Sequence, residues 1–258
     1  MPHTVDTRYA VVSCHVERIL DADTFALLLR LARRRPGDLP IAALVRPPDV
    51  DAGEREDAWL ERVRQLGDAG PLGHHTHWTS PTHARPVEGT DPAARVELEA
   101  GWLREHGLRP TLFCGGGWYT DAAVAASCAG LGYVDLTPRA RRPPYLAPGE
   151  RWAELAAPAR LGTAAGLLTA VPTTHSIGDI VRALSRPRGL AEPVVHVYFH
   201  DTDLLDARRR SALVAALHVL GRRRTPSDPG SVVALVDAEA RVVPFADVAR
   251  GEGFDSQE

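Results

Sequence analysis

An alternation constrains this chain more than any other feature: a short apolar run rich in valine or alanine, then a stretch with helical spacing, repeated from the N-terminus onward. Residues 9 to 16 (YAVVSCHV) read as a strand, and Asp23 precedes FALLLRLARRR, a helix that Pro36 closes. IAALV (41 to 45) and EREDAWLERVRQLGDAG repeat the pair, the helix ending at Gly70. PLGHHTHW (71 to 78) leads to Asp91 as N-cap and Pro92 at the first helical position, ahead of AARVELEAGWLREHG. RPTLFC (109 to 114), a glycine run and a helix from Thr120 to Ala129 make a fourth unit, and GYVDLTP (132 to 138) a fifth strand. Residues 139 to 165 have weak periodicity and read as a long connection to the apolar LLTAVP (167 to 172). PVVHVYFH (193 to 200) is a strand, followed by a helix through SALVAALHVLG and a final strand at SVVALVD. Repeated βα units imply an α/β fold with a parallel sheet, either a closed barrel or doubly wound. Chemistry in such folds collects at the carboxyl ends of the strands.

Composition narrows the function classes. The 258 residues show no compositional break, so one domain over 1–258 is expected. Net charge is only -3 and the arginines are spread along the chain, which is not a nucleic-acid footprint. The opening MPHTVDTRYAVV carries no basic region followed by a long apolar run, and no stretch approaches the roughly 18 apolar residues of a membrane span. A cytoplasmic protein without membrane partners is the expectation. All 30 basic residues are Arg, so Schiff-base catalysis, pyridoxal phosphate attachment and a Walker lysine are excluded. Three widely spaced cysteines support neither a disulfide framework nor a zinc knuckle; Cys14 and Cys128 read as buried small residues.

The polar residues inside or just after apolar runs are the candidates for chemistry. His15 and Glu17 stand two apart at the end of the first strand, so a period-2 backbone turns both side chains to one face. His75 and His77 repeat that spacing in GHHTHW. Two imidazoles on one strand face and a carboxylate from a neighbouring strand can supply a facial N2O ligand set. His196, Tyr198 and His200 share a face of VVHVYFHDTD, which opens into Asp201 and Asp203, and a histidine at such a strand end suits a general acid. Gly115 to Gly117 would let backbone approach a ligand, with Trp118 and Tyr119 offering aromatic faces to a sugar ring. A single strand histidine is more often a core or surface residue than a ligand; clusters at four strand ends are what carry the reading. His83 could fold back to a metal and His175 could touch substrate, whereas His3 reads as terminal and His106 and His218 as helix surface.

Taken in order, VVSCHVE, GHHTHW, RPTLFCGGGWY with LGYVDLTP, TAVPTTHS and VYFHDTDLL resemble the motifs of the polysaccharide deacetylases, the NodB-homology group or carbohydrate esterase family 4. The likeness runs from Val11 to the helix after His200. It implies a distorted (β/α) barrel, a divalent metal such as Zn2+ held by an acid and two histidines, a base, a general-acid histidine and N-acetylated sugar substrates. His15 stands where the family has its base aspartate and Val16 where it has the adjacent ligand, which leaves the ligand role to Glu17. His75 and Thr76 match the second motif; Thr79 takes the slot of its second histidine, so that His77 or His83 replaces it. Cys114 stands where the family carries an arginine that orients the base, and His200 matches the acid. The implied reaction uses metal on Glu17, His75 and His77. His15 or a nearby carboxylate takes the water proton. His200 protonates the leaving amine, with Asp201 or Asp203 setting its tautomer. His196, Tyr198 and Asp203 would line the pocket, and Trp118 and Tyr119 would stack on sugar.

Two other readings of the same residues stay open. One is hydrolysis of a non-sugar amide such as a cyclic ureide on the same fold. The other is a sugar-binding relative that has lost catalysis, since four positions depart from the family pattern. The expected substrate is a small cytoplasmic one, a nucleotide sugar or glycosylated metabolite, or an oligosaccharide.

Overall fold

The computed structural model describes residues 8–80, 83–186, 190–236 and 241–251. Its first half keeps strict alternation: β1 (Tyr9–Val16), α1 (Ala22–Arg34), β2 (Ile41–Val45), α2 (Glu56–Ala69), β3 (Leu72–Thr76), α3 (Pro92–Glu105), β4 (Leu112–Gly115), α4 (Ala122–Leu131) and β5 (Val134–Asp135). Side-chain caps set the helix starts. Asp21 accepts from the Thr24 amide at α1, Asp91 from Ala94 at α3 and Asp121 from Val124 at α4. The second half is less regular: β6 (Trp152–Ala153), β7 (Ala159–Thr163), β8 (Gly166–Ala170), α5 (Ile177–Leu184), β9 (Val194–His200), α6 (Ala207–Arg223), β10 (Thr225–Pro226), α7 (Pro229–Val236), β11 (Val242–Pro244), α8 (Phe245–Val248) and β12 (Ala249–Arg250).

Parallel pairing runs β1–β2–β3–β4–β5–β8, and β9 lies parallel on the other side of β1. The chain after β8 continues toward β9: the amides of Thr174 and His175 donate to the His196 carbonyl, and the Tyr198 amide donates to His175. Hydrogen bonding thus passes from β5 through residues 171–175 to β9 and back to β1. The expected α/β fold, mostly parallel, is present.

Each inner strand is buried on both faces, which is why it reads as one apolar run. On β1, Ala10, Val12, Cys14 and Val16 pack in the cluster beneath α1, α2 and α6, while Val11 belongs to the inner cluster with Leu44, Leu112, Leu136, Val171 and Val194. Ser13 and His15 follow Val11 on the inner face. The period-2 rule therefore sorts β1 into a helix-facing apolar set and an inward set that turns polar toward its carboxyl end.

Two sequence expectations need correction. SVVALVD is not a strand: residues 229–236 form α7, with the Asp228 carboxylate accepting from the Ser231 amide at its start. A short apolar run has no period that separates strand from helix, and the Asp-Pro start decides for helix. Residues 139–165, read as a connection, contain β6 and β7, and β7 pairs antiparallel with β8 as a hairpin ending at Gly166, whose φ is +117°. Among the described residues no helix is long and apolar enough to cross a membrane.

Candidate active site

Strand register brings the candidate residues together. His15 pairs in register with His200 of β9, and His75 with Cys114 of β4, so all four lie at the carboxyl ends of adjacent parallel strands. The His15 ring stands 4.5 Å from that of His75 and edge-on to that of His200 at 5.1 Å between centroids. Glu17 follows one residue beyond β1. Its Oε1 lies 3.5 Å from His75 Nε2 and its Oε2 3.3 Å from His77 Nε2, while the two Nε2 atoms are 3.2 Å apart.

These separations fit a metal site. Bonds of about 2.0–2.1 Å in a tetrahedral array require ligand atoms about 3.3 Å apart. The tautomer fits too. His75 Nδ1 donates to the Cys114 carbonyl at 2.8 Å, so its Nε2 presents a lone pair. Burial opposes ionisation of Glu17, yet the adjacent imidazoles of His75 and His77 outweigh it and hold the carboxyl well below the usual range. His83, the alternative second histidine, lies on the exposed rim of the same cavity and outside this ligand cluster.

Among the described residues no carboxylate forms a hydrogen bond or ion pair with the His15 ring. Its Nε2 faces the Cys114 thiol at 3.6 Å, and burial together with His75 and His200 pushes its pKa well down, so it is a neutral proton acceptor. Burial holds the His200 pKa down as well, and burial raises that of the Cys114 thiol. The cavity holding these groups measures about 580 Å3 and is walled by Trp118, Tyr145 and Tyr198.

Other expected residues fall elsewhere. Asp201 does not touch the His200 ring: its Oδ2 accepts from the backbone amides of Glu17 (3.0 Å) and Arg18 (2.8 Å), pinning the loop that carries Glu17. Asp203 accepts from the His200 amide and from Arg209, and its Oδ2 stays 3.9 Å from His200 Nδ1. His196 is fully enclosed one layer below, bonded to Ser13 Oγ at 2.8 Å, and does not reach the cavity. Tyr119 turns away from it: its hydroxyl donates to Asp121 at 2.6 Å and its ring packs on Trp78. Gly115 and Gly116 admit backbone rather than ligand, whereas Gly117 lines the cavity. A Cβ at Gly116 would meet the carbonyls of Thr76 and Ala84 at 2.5 and 2.6 Å. Trp118 itself takes φ +60°, a left-handed conformation that is strained for a bulky residue. His106 and His218 belong to helix exteriors, and His3 lies outside the described residues.

Sequence reasoning missed three residues. Tyr145 lines the cavity from a segment read as a mere connection. Arg139, from that same segment, stacks against Trp118 and Tyr198, its guanidinium carbon 4.4 and 4.8 Å from the ring centroids. His74 points outward on β3 to Glu99, a contact that helical spacing in α3 could have suggested.

No family model matches the sequence, and no curated protein is similar to it in sequence. Solved structures are similar in fold. A candidate polysaccharide deacetylase from Mycobacterium smegmatis aligns over 93% of each chain with 14% identity and a TM-score of 0.66. A family 4 carbohydrate esterase from Streptomyces lividans, solved with acetate, aligns over 81% of this chain and 88% of its own, with 16% identity and a TM-score of 0.46. The chain thus has a mixed α/β fold of the polysaccharide deacetylase type.

Proposed function

We propose that the protein is a metal-dependent amide hydrolase that removes an acetyl group from an N-acetylated sugar or small glycoconjugate. The observation that carries this reading is the Glu17–His75–His77 cluster, whose three donors lie 3.2–3.5 Å apart at the mouth of a cavity in a deacetylase-type fold. A divalent cation there, zinc by the chemistry of two imidazoles and one carboxylate, would supply an acidified water and a polarised acyl carbonyl.

The chain's own residues divide the remaining work. His75 is oriented by the Cys114 carbonyl, and Glu17 by the two amides that Asp201 engages. His15 is the base: neutral, buried and beside the ligand cluster, it accepts the proton of the attacking water. His200 is the acid. Its side chain is 42% exposed and lines the same cavity as the ligand cluster, which puts its ring within reach of a leaving amine there. Trp118, Tyr145 and Tyr198 supply the aromatic faces that a sugar ring packs against.

The test is metal analysis of the wild-type protein beside Glu17→Ala and His75→Ala, with acetate release from N-acetylglucosamine conjugates on the same samples. Near-stoichiometric metal in the wild type, lost from both variants together with acetate release, is the expected result. Absence of both metal and acetate in the wild type would favour the sugar-binding reading, which the histidine at the base position makes the main competitor.

A further inference from the structure

A second cavity, of about 530 Å3, lies behind the aromatic wall of the first. Arg139, Arg141, Arg142, Arg182 and Arg186 line it together with His175. Two carboxylates share the lining, Asp179 and Glu192, and Asp179 is already engaged by Arg182 and Ser176. The side chains of Arg141 and Arg186 have no partner among the described residues. Positive charge is therefore in excess.

Arg139 forms the buried end. It is 6% exposed, and its Nε and Nη1 have no hydrogen-bond partner. Stacking on Trp118 and Tyr198 stabilises the charge, and the Tyr198 side chain also hydrogen-bonds the guanidinium, but Nε and Nη1 stay unmatched. Leaving two nitrogens of a buried guanidinium unmatched is costly, and a planar guanidinium is well shaped to take oxygens of an anion. A groove lies between this cavity and the candidate active site and shares lining residues with each. Arg182 lines both the basic cavity and this groove, which runs past Tyr198 and His200, and those two residues line the cavity of the ligand cluster.

We propose that this basic cavity binds an anionic group, phosphate or carboxylate, borne by the substrate whose acetyl group reaches the Glu17–His75–His77 cluster. The placement of the acetyl group rests on the deacetylase reading; the anion site rests on the arginines alone. The substrate class becomes an acidic N-acetylated sugar, with Arg139 at the floor of the site and Arg141 and Arg186 at its rim.

Calorimetric titration with N-acetylglucosamine and with its 1-phosphate tests this directly. The phosphorylated sugar is expected to bind at least about tenfold more tightly, as charge-assisted hydrogen bonds provide. Arg141→Gln/Arg186→Gln, at exposed positions outside the catalytic groups, is expected to erase most of that preference while leaving the neutral sugar's affinity unchanged. Arg139→Gln is expected to erase that preference too, with its melting temperature reported beside it because the position is buried; since Arg139 stacks on Trp118 and Tyr198, only the ratio of the two affinities is read from this variant. Inorganic phosphate is expected to compete with the phosphorylated sugar and not with the neutral one. Equal binding of the two sugars, a preference that survives the double variant, or phosphate that binds without displacing the phosphorylated sugar would each overturn the proposal. Acetate release measured on the same samples separates the two readings. A preference without acetate release defeats the deacetylase reading and leaves the anion site, and acetate release without a preference does the reverse.

Discussion

Strand β3 carries a histidine–glutamate cluster on each face, and the two differ in what surrounds them. Outward, His74 Nε2 meets Glu99 Oε2 at 2.9 Å and Thr76 Oγ1 at 3.0 Å, while Glu99 Oε1 accepts from Arg95 at 2.6 Å. That cluster is shut in: the side chains of His74 and Glu99 are 0% and 7% exposed. Inward, His75 and His77 turn their Nε2 atoms toward each other and toward Glu17 at the wall of an open cavity. The residue types match, but the supply of protons does not. Outside, an arginine and a hydroxyl complete the carboxylate and the ring; inside, lone pairs outnumber protons and face a common point. A histidine beside a glutamate is thus no evidence of a ligand until its remaining partners and its access have been accounted for.

The sharpest way to break this contrast is to cut each cluster at its acid. Glu17→Ala is expected to lower metal affinity by more than about a hundredfold, beyond the loss from removing an outer partner of a ligand, and to abolish acetate release. Chelator competition would measure the first. If Glu99→Ala removed the metal as well, the division between the faces would fail. Instead it is expected to cost about 3 kcal/mol in denaturant unfolding with metal content unchanged, because it leaves Arg95 and His74 around a lost buried charge.

His200→Gln sharpens the picture within the inner site. Acetate release is expected to fall by roughly a hundredfold or more while metal is retained, since His200 is outside the ligand cluster. A variant that lost metal and activity together would make His200 a ligand rather than the acid.

The last expected effect concerns acid stability and leaves both metal and activity at neutral pH untouched. Burial and the charge of Arg139 lower the His196 pKa to about 3. The unfolded chain takes up this proton near pH 6.5, so stability falls as pH drops through the window from about 6.5 to 3, by at most roughly 1.4 kcal/mol per pH unit. Above that window His196 contributes no pH dependence. His196→Gln is expected to flatten this part of the profile in urea titrations, and an unchanged slope would assign the acid sensitivity elsewhere.

The regular half of the fold was legible because both sheet faces are buried, so strands showed as apolar runs and helices as periodic stretches between capping aspartates. Period-2 spacing likewise placed Glu17, His75 and His77 on the inner face, and the structure brings their donors together. What the sequence hid depends on long-range packing. The 139–165 segment has no periodicity, yet it carries Arg139 and Tyr145 to the site. The Asp201 carboxylate had two local options, the adjacent His200 ring or amides far along the chain, and only tertiary structure chooses between them. Tyr119 and Trp118 are neighbours in sequence, but the left-handed turn at Trp118 sends their rings to different places.

The bond between Asp201 and the Glu17 amide joins residues 184 positions apart. During translation from the N-terminus, Glu17 is made on the order of ten to forty seconds before Asp201, and His75 and His77 on the order of six to twenty-five seconds before it. Over that interval the three donors exist without the brace that orders their loop, and β1 lacks the β9 edge that sets His200 beside His15. Such non-local pairing is late and slow in folding. Assembly of the site therefore comes late, the first-made donors waiting on a strand and a carboxylate from the last quarter of the chain.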